Sequence, residues 1–118
     1  MESSWTHENG KVLVEETHKE RKAAFGEYAK ACIEFERCEG EGLLFVNQIR
    51  GGAIPKEYIP AVEQGLIEAT KNCALDGYPA SGLKATLVDG QYHPIDSSER
   101  AFKAVALKAF NSYLERIS

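Results

Sequence analysis

The residue pattern of this chain predicts an α+β domain, a two-layer structure with a four-stranded sheet and two helices on one of its faces. Three observations carry that reading. Residues 27–36 alternate, with Ala29, Ala31, Ile33 and Phe35 set against Tyr28, Lys30, Cys32 and Glu34, the period of a strand with one buried face. Towards the C-terminus, Phe102, Val105, Ala106, Ala109, Phe110, Tyr113, Leu114 and Ile117 are separated by three and one in turn, the stripe of an amphipathic helix. The elements run strand, strand, strand, helix, strand, helix, an order that stacks two helices against one sheet.

Each element has its own signal. Residues 1–10 are polar and end in the turn pair Asn9-Gly10, so they are read as a disordered tail preceding a domain at 11–118. Val12, Leu13 and Val14 form a short first strand, and 27–36 is the second. The stretch 36–42 is acidic and contains glycine, which predicts a loop. Leu43-Leu44-Phe45-Val46-Asn47-Gln48-Ile49 is a third strand that stops at Gly51-Gly52. Pro60 suits the first turn of a helix, where a missing N–H costs nothing. That helix is predicted to reach about residue 72, burying Val62, Leu66, Ala69 and Cys73 and turning Glu63, Glu68 and Lys71 outwards. Asp76-Gly77-Tyr78-Pro79 is a turn, and 82–89 is a fourth strand with Leu83, Ala85 and Leu87 on one side, closed by Asp89-Gly90. In Asp96-Ser97-Ser98-Glu99, Asp96 as N-cap and Glu99 at the third helical position make a capping box for the last helix.

Composition narrows the function. A length of 118 residues is that of one domain. No run approaches the roughly 18 apolar residues of a membrane span, and no basic segment leads into an apolar one at the start, so a cytoplasmic protein without a membrane partner is expected. Three cysteines, Cys32, Cys38 and Cys73, in no ligand spacing indicate neither disulfides nor zinc; they are read as reduced thiols, with Cys32 and Cys73 buried. No G-x-x-x-x-G-K-[ST] pattern occurs, so nucleotide binding is rejected and Gly51-Gly52 is read as a strand-to-helix turn. Glu34, Glu36, Glu39 and Glu41 are a solvated acidic edge and not a metal site. The formal net charge of −4 opposes general nucleic-acid binding, so any RNA contact must be local. His18, Lys19, Arg21 and Lys22, leading into Phe25, make the compact basic cluster that fits such a contact, with a solvated hairpin tip as the equal alternative.

Two segments go beyond general chemistry. Gly51-Gly52-Ala53-Ile54-Pro55-Lys56-Glu57-Tyr58-Ile59-Pro60-Ala61-Val62-Glu63-Gln64-Gly65 resembles the GG-x-IP-x-EYIPAVE-x-G segment of the fourth domain of bacterial elongation factor G. Leu87-Val88-Asp89-Gly90-Gln91-Tyr92-His93-Pro94-Ile95-Asp96-Ser97-Ser98-Glu99-Arg100-Ala101-Phe102-Lys103 is similar to that family's L-x-DG-x-YH-x-VDSSE-x-AFK, and Asp76-Gly77-Tyr78-Pro79 is similar to its GYP turn. The resemblance implies the ribosomal protein S5 domain 2-like fold, with a left-handed β-α-β crossover, where the usual hand is right. In the first tip loop the chain departs from the family's Q-[ST]-GG-x-GQ-Y. It has Arg21-Lys22-Ala23-Ala24-Phe25-Gly26-Glu27-Tyr28, keeps only Gly26 and Tyr28, and is about ten residues shorter before Gly26.

The resemblance also implies a role. Such a domain enters the decoding region of the small ribosomal subunit and promotes movement of tRNA and mRNA, while the GTPase that binds GTP lies elsewhere in the parent protein. This chain is then a monomeric, non-catalytic binding module without a cofactor of its own. Its expected RNA-contacting tip is Gly90, Gln91, Tyr92, His93 and Pro94 from one loop, with His93 matching the family's tip histidine, and Arg21, Lys22, Phe25 and Gly26 from the other. Two alternatives share the fold: a diverged or engineered scaffold that has lost the ribosomal role, and a small RNA-processing protein similar in architecture to the ribonuclease P protein subunit. The acidic balance, with Glu63 and Glu68 on a helix, opposes the latter.

Overall fold

A computed structural model describes residues 11–22, 25–75 and 81–117. Its elements are β1 (Lys11–Lys22), β2 (Phe25–Glu41), β3 (Leu43–Asn47), α1 (Ile59–Leu75), β4 (Ser81–Gln91) and α2 (Glu99–Ile117), with a single 3-10 turn at Lys56–Tyr58 leading into α1. The sheet order is β1-β2-β4-β3. β2 pairs antiparallel with both β1 and β4, and β3 lies parallel to β4, so α1 connects two adjacent parallel strands.

One face of this sheet is buried, and the alternation predicts which. Ala29, Ala31, Ile33 and Phe35 are fully covered, and Val12 and Val14 of β1 and Leu83, Ala85 and Leu87 of β4 are buried with them. Over them lie Val62, Leu66 and Ala69 of α1 and the α2 stripe from Phe102 to Tyr113. Phe35 anchors the packing: its ring stacks on Tyr113 at 4.6 Å and meets Phe110 edge-on at 6.1 Å. Gly51 and Gly52 both hold left-handed φ angles, 63° and 72°, so the chain reverses there as the glycine pair predicts.

Several bounds differ from the sequence reading. β1 continues to Lys22, because its inward positions Glu16 and His18 are held by polar partners where apolar periodicity has ended. β2 continues through the acidic stretch to Glu41, crossing a register shift between Arg37 and Glu41. β3 stops at Asn47, whose side chain accepts from the Ile49 N–H and so bends the chain away. The N-cap of α2 is Ser98, whose Oγ accepts from the Ala101 N–H at 3.1 Å; Asp96 lies two residues earlier, in a turn. Cys32 is half-buried on the open face, where burial, with help from Glu15 and Asp89, pushes its thiol up. Glu68 is half-exposed and paired with Lys103 of α2 at 2.8 Å. The predicted turn at 76–79 and the side chain of Cys73 lie outside the described residues, as does the tail at 1–10.

Candidate RNA-contacting tip

Beyond Ala29 the inward positions of the β1–β2 ribbon become polar. His18 Nε2 lies 2.8 Å from Glu27 Oε1, and Arg100 Nε of α2 lies 3.5 Å from the other oxygen of Glu27. On the opposite face of the ribbon, Lys19 stands across from Tyr28 and Arg21 across from Gly26. The basic cluster is thus divided by the pleat: His18 faces inwards and is bonded to an acid, while Lys19 and Arg21 are exposed on the open face. Lys22 and Phe25 pair with each other at the ribbon's end.

β4 reaches the same end through a bulge. Cys32 opposes Asp89 but Ile33 opposes Leu87, so Val88 is an extra residue that re-aims the strand. After it, Gly90 opposes Ala31 and is buried. A Cβ at Gly90 would lie 2.5 Å from Ile54 Cδ1 and 2.5 Å from the Lys30 carbonyl oxygen, so a glycine is required for Ile54 to seat. Gly90 is therefore buried behind the exposed residues 91–95, whereas the sequence reading placed it in the tip itself. Gln91, Tyr92, His93, Pro94 and Ile95 are exposed, Ile95 most of all at 84%.

The turn that carries His93 is stitched to β2. The Tyr28 N–H donates to the Asp96 carbonyl at 3.0 Å, and the Ser97 hydroxyl donates to the Tyr28 carbonyl at 2.7 Å while accepting from the His93 N–H at 2.8 Å. The Tyr58 hydroxyl donates to the Ser97 carbonyl at 3.3 Å. A Cβ on Gly26 would stand 3.2 Å from Asp96 Oδ2, so ribbon and turn touch. The two expected tip elements are side by side.

The geometry of His93 defines its chemistry. Its Nδ1 accepts from the Ile95 N–H at 3.2 Å and the Asp96 N–H at 3.1 Å. The ring proton therefore belongs on Nε2, which becomes a hydrogen-bond donor. Asp96 Oδ2 is 3.8 Å from Nδ1, too far for a bond, and both atoms are acceptors, so the pair is no proton-transfer dyad. An open cleft of about 370 Å³ lies between ribbon and turn, lined by Lys19, Arg21, Tyr28, Gln91, Tyr92 and His93 among others. Such a surface offers donors and aromatic rings, which is equipment for binding. His18, Glu20 and Glu27 bring possible metal ligands within 4.8 Å of one another, but Glu27 is already committed to His18 and Arg100.

With the geometry described, comparison with known proteins decides the family. The family model for elongation factor G, domain IV, matches residues 6–117. This chain belongs to the elongation factor G domain IV family. The protein Elongation factor G 2 of Hahella chejuensis (strain KCTC 2396) is 45% identical over 99 residues, covering 84% of this chain and 15% of that protein. The crystal structure of a Thermus thermophilus protein superposes with a TM-score of 0.75 at 34% identity, over 90% of this chain and 16% of that one. The chain thus spans about one sixth of the proteins it matches. Within an elongation factor G domain IV, Arg21 and Gly26 of the ribbon and Gln91, Tyr92 and His93 of the turn lie at one end of the sheet, while the side chains of Lys22 and Phe25 lie outside the described residues. Ser97 escapes the sequence reading: its position inside a helix-start signature masks its role as the link between His93 and β2. Among the described residues, no helix is long and apolar enough to cross a membrane.

Proposed function

We propose that this domain is the ribosome-entering arm of an elongation factor G-like GTPase, and that its tip contacts RNA in the decoding region to promote movement of tRNA and mRNA. The observation that carries the reading is the joined tip: the ribbon end and the His93 turn form one exposed surface, held by the bonds that Ser97 and Asp96 make to Tyr28. In it, His93 Nε2, Lys19 and Arg21 supply donors for phosphate or base oxygens. No proton transfer is required of any of them. GTP binding and hydrolysis belong to the remainder of the parent protein, and the domain transmits the resulting motion to its tip.

A photo-crosslinking residue at position 91, in a chimaeric factor carrying this domain in place of its own, tests the placement. Cross-links to small-subunit RNA of the decoding region and to tRNA are expected. Cross-links confined to other ribosomal sites, or none, would overturn it.

A further inference from the structure

We infer that the cleft between the ribbon and the His93 turn holds one unpaired nucleotide of RNA, with its base against the tyrosines and its phosphate on Lys19 and Arg21; this rests on the RNA-contacting reading above. Tyr28 supplies the first ring of the cleft. Its hydroxyl donates to Gln91 Oε1 at 3.1 Å, which holds the ring over the open face of the sheet between β1 and β4. The same bond orients the Gln91 carboxamide: with Oε1 accepting, Nε2 is left to donate to a base edge. Tyr92, 45% exposed, supplies a second ring at the cleft's rim. Every base has a π-face, so rings of this kind hold unstacked bases and cannot engage bases already stacked in a helix.

Charge sets the number of phosphates. Lys19 and Arg21 are the cations that line the cleft, and neither is in an ion pair among the described residues. Lys30, the next cation along this face, is taken by Glu15 at 2.6 Å. Glu20, Glu27 and Asp96 also line the cleft, so a longer run of phosphates would meet carboxylates. Duplex binders make about 6–10 phosphate contacts; two cations serve a single nucleotide and its neighbour. The volume of about 370 Å³ sits at the lower end of small-molecule sites, ~300–1,000 Å³, which suits one nucleotide.

The test is fluorescence anisotropy on the 118-residue chain with a short single-stranded RNA, a blunt RNA duplex of equal length, and inorganic tripolyphosphate as competitor. The single strand should bind at least about tenfold more tightly than the duplex, with tripolyphosphate competing poorly, because stacking supplies much of the affinity. Tyr28→Phe, which keeps the ring but loses the bond to Gln91, should weaken that binding less than Tyr28→Ser, which should weaken it about fivefold or more. Lys19→Gln and Arg21→Gln should each reduce the salt slope by about 0.7. Equal or tighter duplex binding, competition by tripolyphosphate equal to that of RNA, or unchanged salt slopes would overturn the proposal. Should Tyr28→Ser fail to fold by circular dichroism, the strand preference and the salt slopes still decide. A chimaera that cross-links in the decoding region, beside a chain with no preference for single strands, would sink this inference alone.

Discussion

The Ser97 hydroxyl donates to the Tyr28 carbonyl oxygen at 2.7 Å, joining positions 69 residues apart in sequence. The same hydroxyl oxygen accepts from the His93 N–H, so one buried group fixes the turn that carries His93 to the strand that carries Tyr28. Ser97→Ala should leave a donor and an acceptor unsatisfied in a partly buried site, destabilising the domain by about 1–3 kcal/mol. Urea unfolding checks the magnitude, and hydrogen exchange at the His93 amide should accelerate more than exchange in α2. Uniform acceleration would show that Ser97 is not a local clasp.

Gly90→Ala should be among the most damaging single-methyl changes in the chain. The new Cβ would press on Ile54 Cδ1 and on the Lys30 backbone, and overpacking of this kind costs about 1–3 kcal/mol or more. Adding Ile54→Ala should recover only part of the loss, since the Lys30 carbonyl stays in place. Full recovery in a double-mutant cycle would show that the strand itself has room.

Phe110→Ala removes a ring 4% exposed that meets Phe35 edge-on, and it should cost about 3–5 kcal/mol. A loss below about 1 kcal/mol by chemical denaturation would contradict the α2 packing.

Burial raises the Tyr113 phenol above its ordinary value. The neutral phenol is favoured in the folded state, so its contribution is complete below the unfolded value of about 10 and is lost as pH rises through the folded one. Stability should therefore decline above pH of about 10. Tyr113→Phe should flatten that decline, and an unchanged alkaline limb would rule Tyr113 out as its source.

Where burial is one-sided, the sequence announces the structure. Ala29 to Phe35 and Phe102 to Tyr113 alternate because each faces a core on one side only. The far half of β1 gives no such signal: Glu16 and His18 replace apolar residues at inward positions, and the strand is held from α2 by Lys108 on the Thr17 carbonyl, Arg116 on the Leu13 carbonyl and Ser112 on Glu16. Partners 91 to 103 residues away leave no local trace. The N-cap is Ser98 because Asp96, an equally good capping residue by type, is spent in the His93 turn. Gly90 resembles a loop glycine in sequence, and only Ile54 shows it to be a packing glycine.

Translocation kinetics of a chimaeric factor bearing this domain report on the role of the tip in tRNA–mRNA movement. His93→Ala removes the Nε2 donor but touches no nucleotide, so tRNA–mRNA movement should slow several-fold while GTP hydrolysis on the ribosome stays nearly unchanged. Movement at the parental rate in the His93→Ala chimaera, or an equal fall in both rates, would contradict the tip's role.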